Sequence, residues 1–331
     1  MLNTYTGSDA GPVSNFAYLL DRIGTRVQVT TGSGTVSSYN YDKLYRLTGA
    51  TVVLKTNTYS YDAVGNRLTQ TAPSLSIGYI YDAADKLISA GQTAFVYDSN
   101  GNQRQATGKT TITYAYDAAD RLISVTNGGT VSKFTYDGDG NRVSQKVGNN
   151  TYTYLNDIAT GFATVLDETG PDGHIQYVRG RGLVSADGPT FTYYYHYDGQ
   201  STVVGLSDTT GHLAERYVYD VWGQQQLTVP NPGIGTQNKF GYTGEALDPG
   251  TGLIYLRARY YDPTLGRFIS KDPLNGFERA PQALNRFVYV RNNPATLTDR
   301  TGLCDDLGFC DDDGGGGWLT ESLWPGAPDL P

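Results

Sequence analysis

The chain has 331 residues, a formal net charge of -8 and a calculated isoelectric point near 4.9. The acidic balance argues against nucleic acid as a partner, because no basic patch is visible to meet phosphates, and no stretch approaches the ~20 consecutive apolar residues of a membrane-spanning helix. The composition includes 41 Gly and 27 Tyr but a single Met, which favours strands and turns over helices.

The N-terminal segment begins without a recognisable export signal, since Met1–Tyr5 lacks the charged and apolar regions of a signal peptide. The first twenty residues resemble a degenerate strand unit, with Tyr18 and Asp21 before Gly24. We therefore expect the chain to start within an array of strands. Homo-oligomer formation, or pairing with a similar protein, would cover the sheet edge that this leaves exposed.

The next part of the chain is a tandem repeat. Each unit has an alternating run typical of a strand, then a turn containing Gly-Asn or Ala-Asp, then a second alternating run. This order predicts a β-hairpin whose turn residues tolerate positive φ. Tyr-Asp pairs mark the units at spacings of 20, 20, 16, 19 and 20 residues, namely Tyr41-Asp42, Tyr61-Asp62, Tyr81-Asp82, Tyr97-Asp98, Tyr116-Asp117 and Tyr136-Asp137.

A single hairpin of this size is marginal in water, whereas hairpins stacked side by side form one long sheet with covered edges. We expect the repeated Tyr to form ladders across adjacent strands, and we interpret the Tyr-Asp pairs as structural. The pattern continues less regularly at Tyr152, Tyr154, Tyr177, Tyr197-Asp198, Tyr219-Asp220 and Tyr261-Asp262.

The acidic turns do not predict a metal site. Asp137–Asn141 superficially resembles a calcium loop, but Arg142 and Gly148 stand where the loop needs Gly and Glu. The three His lack a metal-ligand spacing, and no nucleophile elbow or phosphate-binding loop occurs. We predict no cofactor, no metal and no metabolic enzyme activity.

At this point the chain resembles a known family. The unit Tyr-x-Tyr-Asp-x-x-Gly-Asn-Arg-Leu is similar to the YD repeat of bacterial Rhs proteins, insecticidal toxin-complex C subunits and animal teneurins. The string formed by Gly241–Glu245, Gly252–Pro263, Gly266–Pro273 and Asp299–Leu303 resembles the Rhs repeat-associated core. The resemblance runs from about residue 15 to Leu303.

The resemblance implies an all-β fold in which YD-repeat hairpins stack into a spiralling sheet. This sheet would form a partial hollow shell with a C-terminal Rhs core plug. The implied division is 1–196 for the hairpin array, 197–303 for the core and 304–331 for a variable acidic tail. The implied function is a shell or scaffold of a secreted or contact-dependent bacterial toxin system. Its partners would be its own C-terminal tail or toxin cargo, other YD-repeat proteins or secretion-system proteins.

The resemblance also implies a site of self-cleavage. In bacterial relatives two aspartates release the variable segment after the closing motif, and the matching positions here are Asp272 and Asp299, with cleavage between Leu303 and Cys304. Two carboxyls that share a proton can activate water and protonate a carbonyl, so the chain would be at most a single-turnover aspartyl autoprotease. We expect the guanidinium of Arg300 to lower the pKa of Asp299. The alternative is that both Asp only hold turns in the plug.

The last 28 residues carry acidic side chains without Lys or Arg, a Gly314–Gly317 linker and the apolar segment Trp318–Trp324. They predict either a disordered acidic end or a segment that docks inside the shell. Cys304 and Cys310 could close a small loop in an oxidising compartment. The competing function for the whole chain is a cell-surface adhesion or carbohydrate-binding module, because Tyr-rich curved sheets can stack on sugar rings.

Overall fold

The computed structural model describes residues 14–159, 161–230, 238–274, 281–303 and 305. Its strands are β1 (Phe16–Leu20), β2 (Arg26–Thr31), β3 (Val36–Tyr41), β4 (Leu47–Val52), β5 (Lys55–Tyr61), β6 (Arg67–Ala72), β7 (Leu75–Tyr81), β8 (Leu87–Ala90), β9 (Thr93–Tyr97), β10 (Gln103–Thr107), β11 (Thr111–Tyr116), β12 (Leu122–Asn127), β13 (Thr130–Tyr136), β14 (Arg142–Val147), β15 (Asn150–Asp157), β16 (Thr164–Gly170), β17 (Gly173–Arg179), β18 (Leu183–Asp187), β19 (Thr192–Tyr197), β20 (Val203–Ser207), β21 (Leu213–Tyr219), β22 (Gln225–Pro230), β23 (Ala246–Asp248), β24 (Leu253–Leu256), β25 (Arg259–Asp262) and β26 (Arg267–Phe268).

Strands β1 to β22 form one antiparallel sheet in which each strand pairs with the next along the chain. Strand β13 illustrates why these segments form strands. Buried Ser132 and Phe134 alternate with exposed Lys133 and Thr135, which matches the alternation of side chains along a strand. The predicted all-β fold with a long antiparallel sheet is confirmed. A second sheet holds β23 to β26, and short 3-10 turns lie at Tyr242–Gly244, Pro281–Leu284 and Val290–Asn292.

The Asp of each Tyr-Asp pair closes the turn of its hairpin. The Oδ1 atom of Asp62 accepts the backbone N–H groups of Val64 (3.0 Å) and Asn66 (2.8 Å). Positive φ falls on Gly65 (91°) rather than on the following Asn66. The same pair of bonds is made by Asp42, Asp82, Asp98, Asp117, Asp137, Asp198 and Asp220.

The Tyr of several pairs joins successive hairpins, and the predicted ladder of Tyr across adjacent strands is wrong. The register places Arg67 opposite Tyr61, because the Tyr of these pairs occur only on alternate strands. The Tyr61 hydroxyl instead donates to the carbonyl oxygen of Leu47 at 2.7 Å. Equivalent bonds run from Tyr81 to Arg67, Tyr136 to Leu122 and Tyr197 to Leu183.

The long sheet curls until its beginning meets its end. The register shifts by one residue just before the Tyr of several pairs, as between Ser60 and Tyr61, and such bulges increase strand twist. The Tyr18 hydroxyl accepts the backbone N–H of Gly199 at 2.6 Å. Lys55 similarly lies 3.4 Å from the side-chain oxygen of Gln226. Strand β1 therefore contacts the turn after β19, and β5 contacts β22, each more than 160 residues further along the chain.

The C-terminal part packs against one face of this sheet. Aromatic pairs cross the contact, with ring centroids 5.2 Å apart for Phe134 and Tyr260 and 5.9 Å apart for Tyr97 and Phe287. The hydrophobic core thus lies between the sheet and residues 238–303. In the described part of the chain, no helix has the length and apolar character to cross a membrane.

Candidate functional site

The closing segment Asp299–Leu303 lies on the tight turn between β24 and β25. Backbone contact comes from Ala258, whose N–H donates to the carbonyl of Thr301 at 3.0 Å. Arg257 of this turn and Arg259, the first residue of β25, donate to other carbonyls of the segment: Arg257 to Arg300, and Arg259 to Gly302. The segment is therefore held through its backbone up to the residue before Leu303.

Gly302 is required at its position. Its φ is +73°, and a Cβ atom there would overlap the carbonyl oxygen of Leu256 and lie 2.9 Å from the backbone nitrogen of Arg259. A side chain would therefore have to push the closing segment off the turn. Local backbone geometry explains why the motif contains Gly here.

Arg259 brings the two sequence-predicted aspartates together. Its Nη2 atom lies 2.7 Å from Oδ2 of Asp272 and 3.9 Å from Oδ2 of Asp299. The Asp299 and Arg259 side chains are 3% and 4% exposed, and that of Asp272 is 14% exposed. Both carboxyls thus share one guanidinium in an environment where charge interactions are strong.

Burial dominates the electrostatics of Asp299. Desolvation raises the pKa of Asp299 to about 6, although Arg259 and hydrogen bonds from Gly302 (2.8 Å) and Thr301 (3.1 Å) act in the opposite direction. The expectation that Arg300 would lower this pKa is wrong. The Arg300 guanidinium lies 3.4 Å from Oγ of Ser201, and the cation beside Asp299 is Arg259.

The second aspartate is positioned by Arg286 and Arg259. The backbone N–H of Asp272 donates to the Arg286 carbonyl (2.9 Å), and Nε of Arg286 donates to the Asp272 carbonyl (2.8 Å). Desolvation raises the pKa of Asp272, and the Arg259 guanidinium offsets part of that rise. Arg259 itself packs over the ring of Phe268 at 3.6 Å.

The chain is held on both sides of the predicted cleavage position. Before it, the N–H of Leu303 donates to Oγ1 of Thr301 at 3.2 Å. After it, the carboxylate of Asp305 lies 2.6 Å from Nε of Arg291. Cys304, the other half of the predicted bond, lies outside the described residues. Arg291 stands in a run of three left-handed residues, Val290–Asn292, with φ of 40°, 53° and 62°, which is a strained backbone for L-residues.

Sequence reasoning missed Arg259 and Arg291. A signal for Arg259 was present, because a cation within a short apolar strand predicts a buried carboxylate partner. No such signal marks Arg291, because its partner Asp305 is 14 residues away in sequence and comes close only in the folded chain. Asn275 follows Asp272-Pro273-Leu274 at a position where the resembled motif has Gly, and it lies outside the described residues.

The three His do not form a common site. His196 contacts Oγ of Ser207 at 2.8 Å, while the His174 ring lies 3.2 Å from the carboxylate of Asp167. His212 contacts Thr210 in an exposed turn. Within the described ranges, no group of three or more His, Cys, Asp or Glu side chains is arranged to hold a metal ion.

Comparison with known proteins gives matches along most of the chain. The family described as Teneurin YD-shell matches residues 19–109 and 174–295, and the RHS Repeat family matches 97–130 and 116–152. The tRNA3(Ser)-specific nuclease WapA of Bacillus spizizenii is 32% identical over 81% of this chain. The toxin subunit YenC1 of Yersinia entomophaga is 37% identical over 33% of it.

These matches cover a small part of the other proteins. The chain spans 12% of the WapA nuclease and 11% of the YenC1 subunit. Among solved structures, the crystal structure of TcdB2-TccC3-Cdc42 aligns over 87% of this chain and 19% of its own, with 19% identity and a TM-score of 0.46.

Proposed function

This chain belongs to the YD-repeat (Rhs) family, and we propose that it is a shell segment of a bacterial toxin system that holds its own C-terminal segment and cuts the chain once after Leu303. A relative is named as a nuclease and another as a toxin subunit, which supports a toxin system. We place its site of action outside the bacterium or at its surface.

The curled sheet supports the shell. Contacts between Tyr18 and Gly199, and between Lys55 and Gln226, join parts of the sheet that are far apart in sequence. A sheet that curls in this way while bulges twist each hairpin forms a spiral wall. We propose that the part of residues 197–303 after β22 plugs this wall, with residues 304–331 as the enclosed segment.

The observation that carries the cleavage proposal is that Arg259 contacts both carboxyls and the closing segment at once. Asp299, with its pKa raised to about 6 by burial, is the proton donor to the Leu303 carbonyl. Asp272, which lies closer to Arg259, stays ionised and takes a proton from the attacking water. Collapse of the tetrahedral intermediate breaks the C–N bond to Cys304. The leaving amine takes the proton that Asp272 received from water, and the proton on the former carbonyl oxygen returns to Asp299.

A single turnover is enough for this task. The scissile strand is part of the same chain and is fixed from Thr301 to Leu303 and again at Asp305. Holding a substrate in this way replaces a bimolecular encounter with a unimolecular step. A modest site therefore suffices to cut every chain once.

Protection of the C-terminal segment tests the shell. Full-length protein is exposed to proteinase K, and loss of residues 304–331 is followed by mass spectrometry, with the synthetic 304–331 peptide as the control. We expect the segment to survive much longer in the protein than as a peptide, whether or not the bond after Leu303 is intact. Equal digestion rates would contradict enclosure.

A further inference from the structure

A cavity of about 410 Å³ lies between strands β15 to β18 of the long sheet and the turn that holds the closing segment. Among the residues that the structure describes, its lining is rich in arginine and includes two carboxylates, those of Glu245 and Asp157. The lining arginines are Arg142, Arg179, Arg181, Arg257 and Arg300.

Two of these arginines are neutralised by carboxylates. Arg142 lies 2.7 Å from Asp248, and Arg257 lies 2.9 Å from Glu245. These two pairs contribute no net charge to the cavity.

The other three arginines, Arg179, Arg181 and Arg300, have no carboxylate within 4.0 Å in the described part of the chain. Arg179 donates to the carbonyl of Val165 at 2.8 Å, and Arg300 lies 3.4 Å from the hydroxyl of Ser201. Asp157 supplies a single negative charge. The cavity therefore carries a positive surplus in a chain whose net charge is -8.

An excess of positive charge destabilises the folded protein where the side chains are shielded from water. Desolvation lowers the pKa of the half-buried Arg179, although the Glu245 carboxylate acts in the opposite direction. An anion in the cavity would offset this cost through charge-assisted hydrogen bonds. Arginine also presents a planar fork that suits carboxylates.

The chain itself carries a matching anion. Residues 304–331 contain seven acidic side chains and no Lys or Arg, and three of the acids are consecutive at Asp311–Asp313. The segment starts next to Leu303, three residues after the cavity-lining Arg300. Asp305 is held by Arg291, three residues before Pro294, whose carbonyl accepts a bond from Gln200 at 2.9 Å, next to the cavity-lining Ser201. The six residues from Asp305 to Asp311 can span roughly 20 Å when extended, so the consecutive acids can reach the cavity.

We propose that this arginine-lined cavity binds the carboxylates of Asp311–Asp313 and so fixes the C-terminal segment inside the shell. The inference deepens the proposed function, because it rests on the claim that the segment is held, but it does not depend on cleavage. The C-terminal segment is then retained by charge interactions with the arginine-lined cavity.

The test uses the full chain with Cys304→Ser and a fluorescent label on Cys310, and it measures the anisotropy of the label. The cavity variant is Arg181→Glu, whose side chain is exposed at the rim, and the matched control is Arg104→Glu, an exposed arginine on β10. A third variant replaces Asp311, Asp312 and Asp313 by Asn. Mass spectrometry of each sample records whether the bond after Leu303 is cut.

We expect a high anisotropy in the starting protein and in Arg104→Glu. We expect it to fall to the value of the labelled free peptide in Arg181→Glu and in the triple Asn variant. High anisotropy in all four proteins would mean that the segment is held elsewhere, which overturns this inference and leaves the shell proposal standing. Low anisotropy already in the starting protein would overturn both.

Discussion

Arg142 and Asp248 form a buried ion pair of 2.7 Å that joins strand β14 of the long sheet to strand β23 of the smaller sheet. Both side chains are at most 6% exposed, and Arg142 also donates to the Tyr260 hydroxyl at 3.1 Å. The link connects residues 106 positions apart. It couples the repeat array to the part of the chain that carries the closing segment.

Breaking this pair is expected to be costly. Asp248→Asn leaves the Arg142 charge buried without a carboxylate, and removing one partner of a buried pair costs about 3–5 kcal/mol of unfolding free energy. The control is Lys86→Gln, which removes the more exposed pair with Asp82 at 3.3 Å and should cost about 0–1 kcal/mol. Urea unfolding measures both, and similar losses for the two variants would contradict the role of the buried pair.

The Tyr hydroxyls between hairpins are expected to contribute individually. Tyr81→Phe removes the 2.9 Å bond to the Arg67 carbonyl and leaves a half-buried acceptor, so we expect a loss of about 1 kcal/mol. Tyr194→Phe, on a ring that is 40% exposed, should change the unfolding free energy by less than about 0.5 kcal/mol. Equal losses of unfolding free energy in the two variants would show that the Tyr81 hydroxyl bond does not contribute to stability.

The closing segment is expected to depend on Gly302. Gly302→Ala must relieve an overlap with Leu256 as well as a left-handed backbone, whereas Gly252→Ala meets only the latter, with φ of +75° and nothing within 4 Å. The left-handed backbone costs roughly 1–2 kcal/mol, and the overlap adds to this in Gly302→Ala alone. The melting temperature of Gly302→Ala should therefore be well below that of Gly252→Ala. A reversed ranking would mean that the segment does not pack on the turn.

Stability should vary with pH through Asp299. Its pKa is about 6 in the folded protein and about 3.9 when unfolded, so the folded state binds the proton more tightly. Its contribution is then fully present below pH ~3.9 and is lost as the pH rises through about 6, a change of roughly 2–3 kcal/mol. The groups that face Asp299 are Arg259 and, across that guanidinium, Asp272.

Asp299→Asn isolates this contribution. Asp220 also has a pKa raised to about 6 by burial, but it is present in both proteins and cancels in their difference. Urea unfolding between pH 4 and pH 8 should show the wild type losing stability relative to Asp299→Asn. Parallel curves would contradict the raised pKa.

Much of the fold is predictable because hairpin signals are local. The alternating runs and the Tyr-Asp turns place strands such as β13, and each Asp makes its bonds within four residues. The partners of the Tyr hydroxyls are less local: Tyr61 bonds a carbonyl 14 residues earlier, on the neighbouring strand of the preceding hairpin. Its position depends on sheet register, which the repeat pattern alone does not specify.

The site was only partly predictable. Asp272 and Asp299 were identified through resemblance, and Arg259 unites them only after β25 meets the closing segment. The error over Arg300 has a simple cause: the Asp299 carboxylate accepts the backbone N–H groups of Thr301 and Gly302 and lies near Arg259, whereas the Arg300 side chain lies near Ser201. Adjacency in sequence therefore placed the wrong cation beside Asp299.

Intact-mass analysis of freshly purified protein tests the central claim most directly. The wild type is compared with Asp299→Asn and with Asp139→Asn, a substitution at an exposed turn position remote in sequence from the site. We expect a fragment ending at Leu303 in the wild type and in Asp139→Asn, and only the uncut chain in Asp299→Asn. An uncut chain in all three proteins, or a cut that persists in Asp299→Asn, would contradict it.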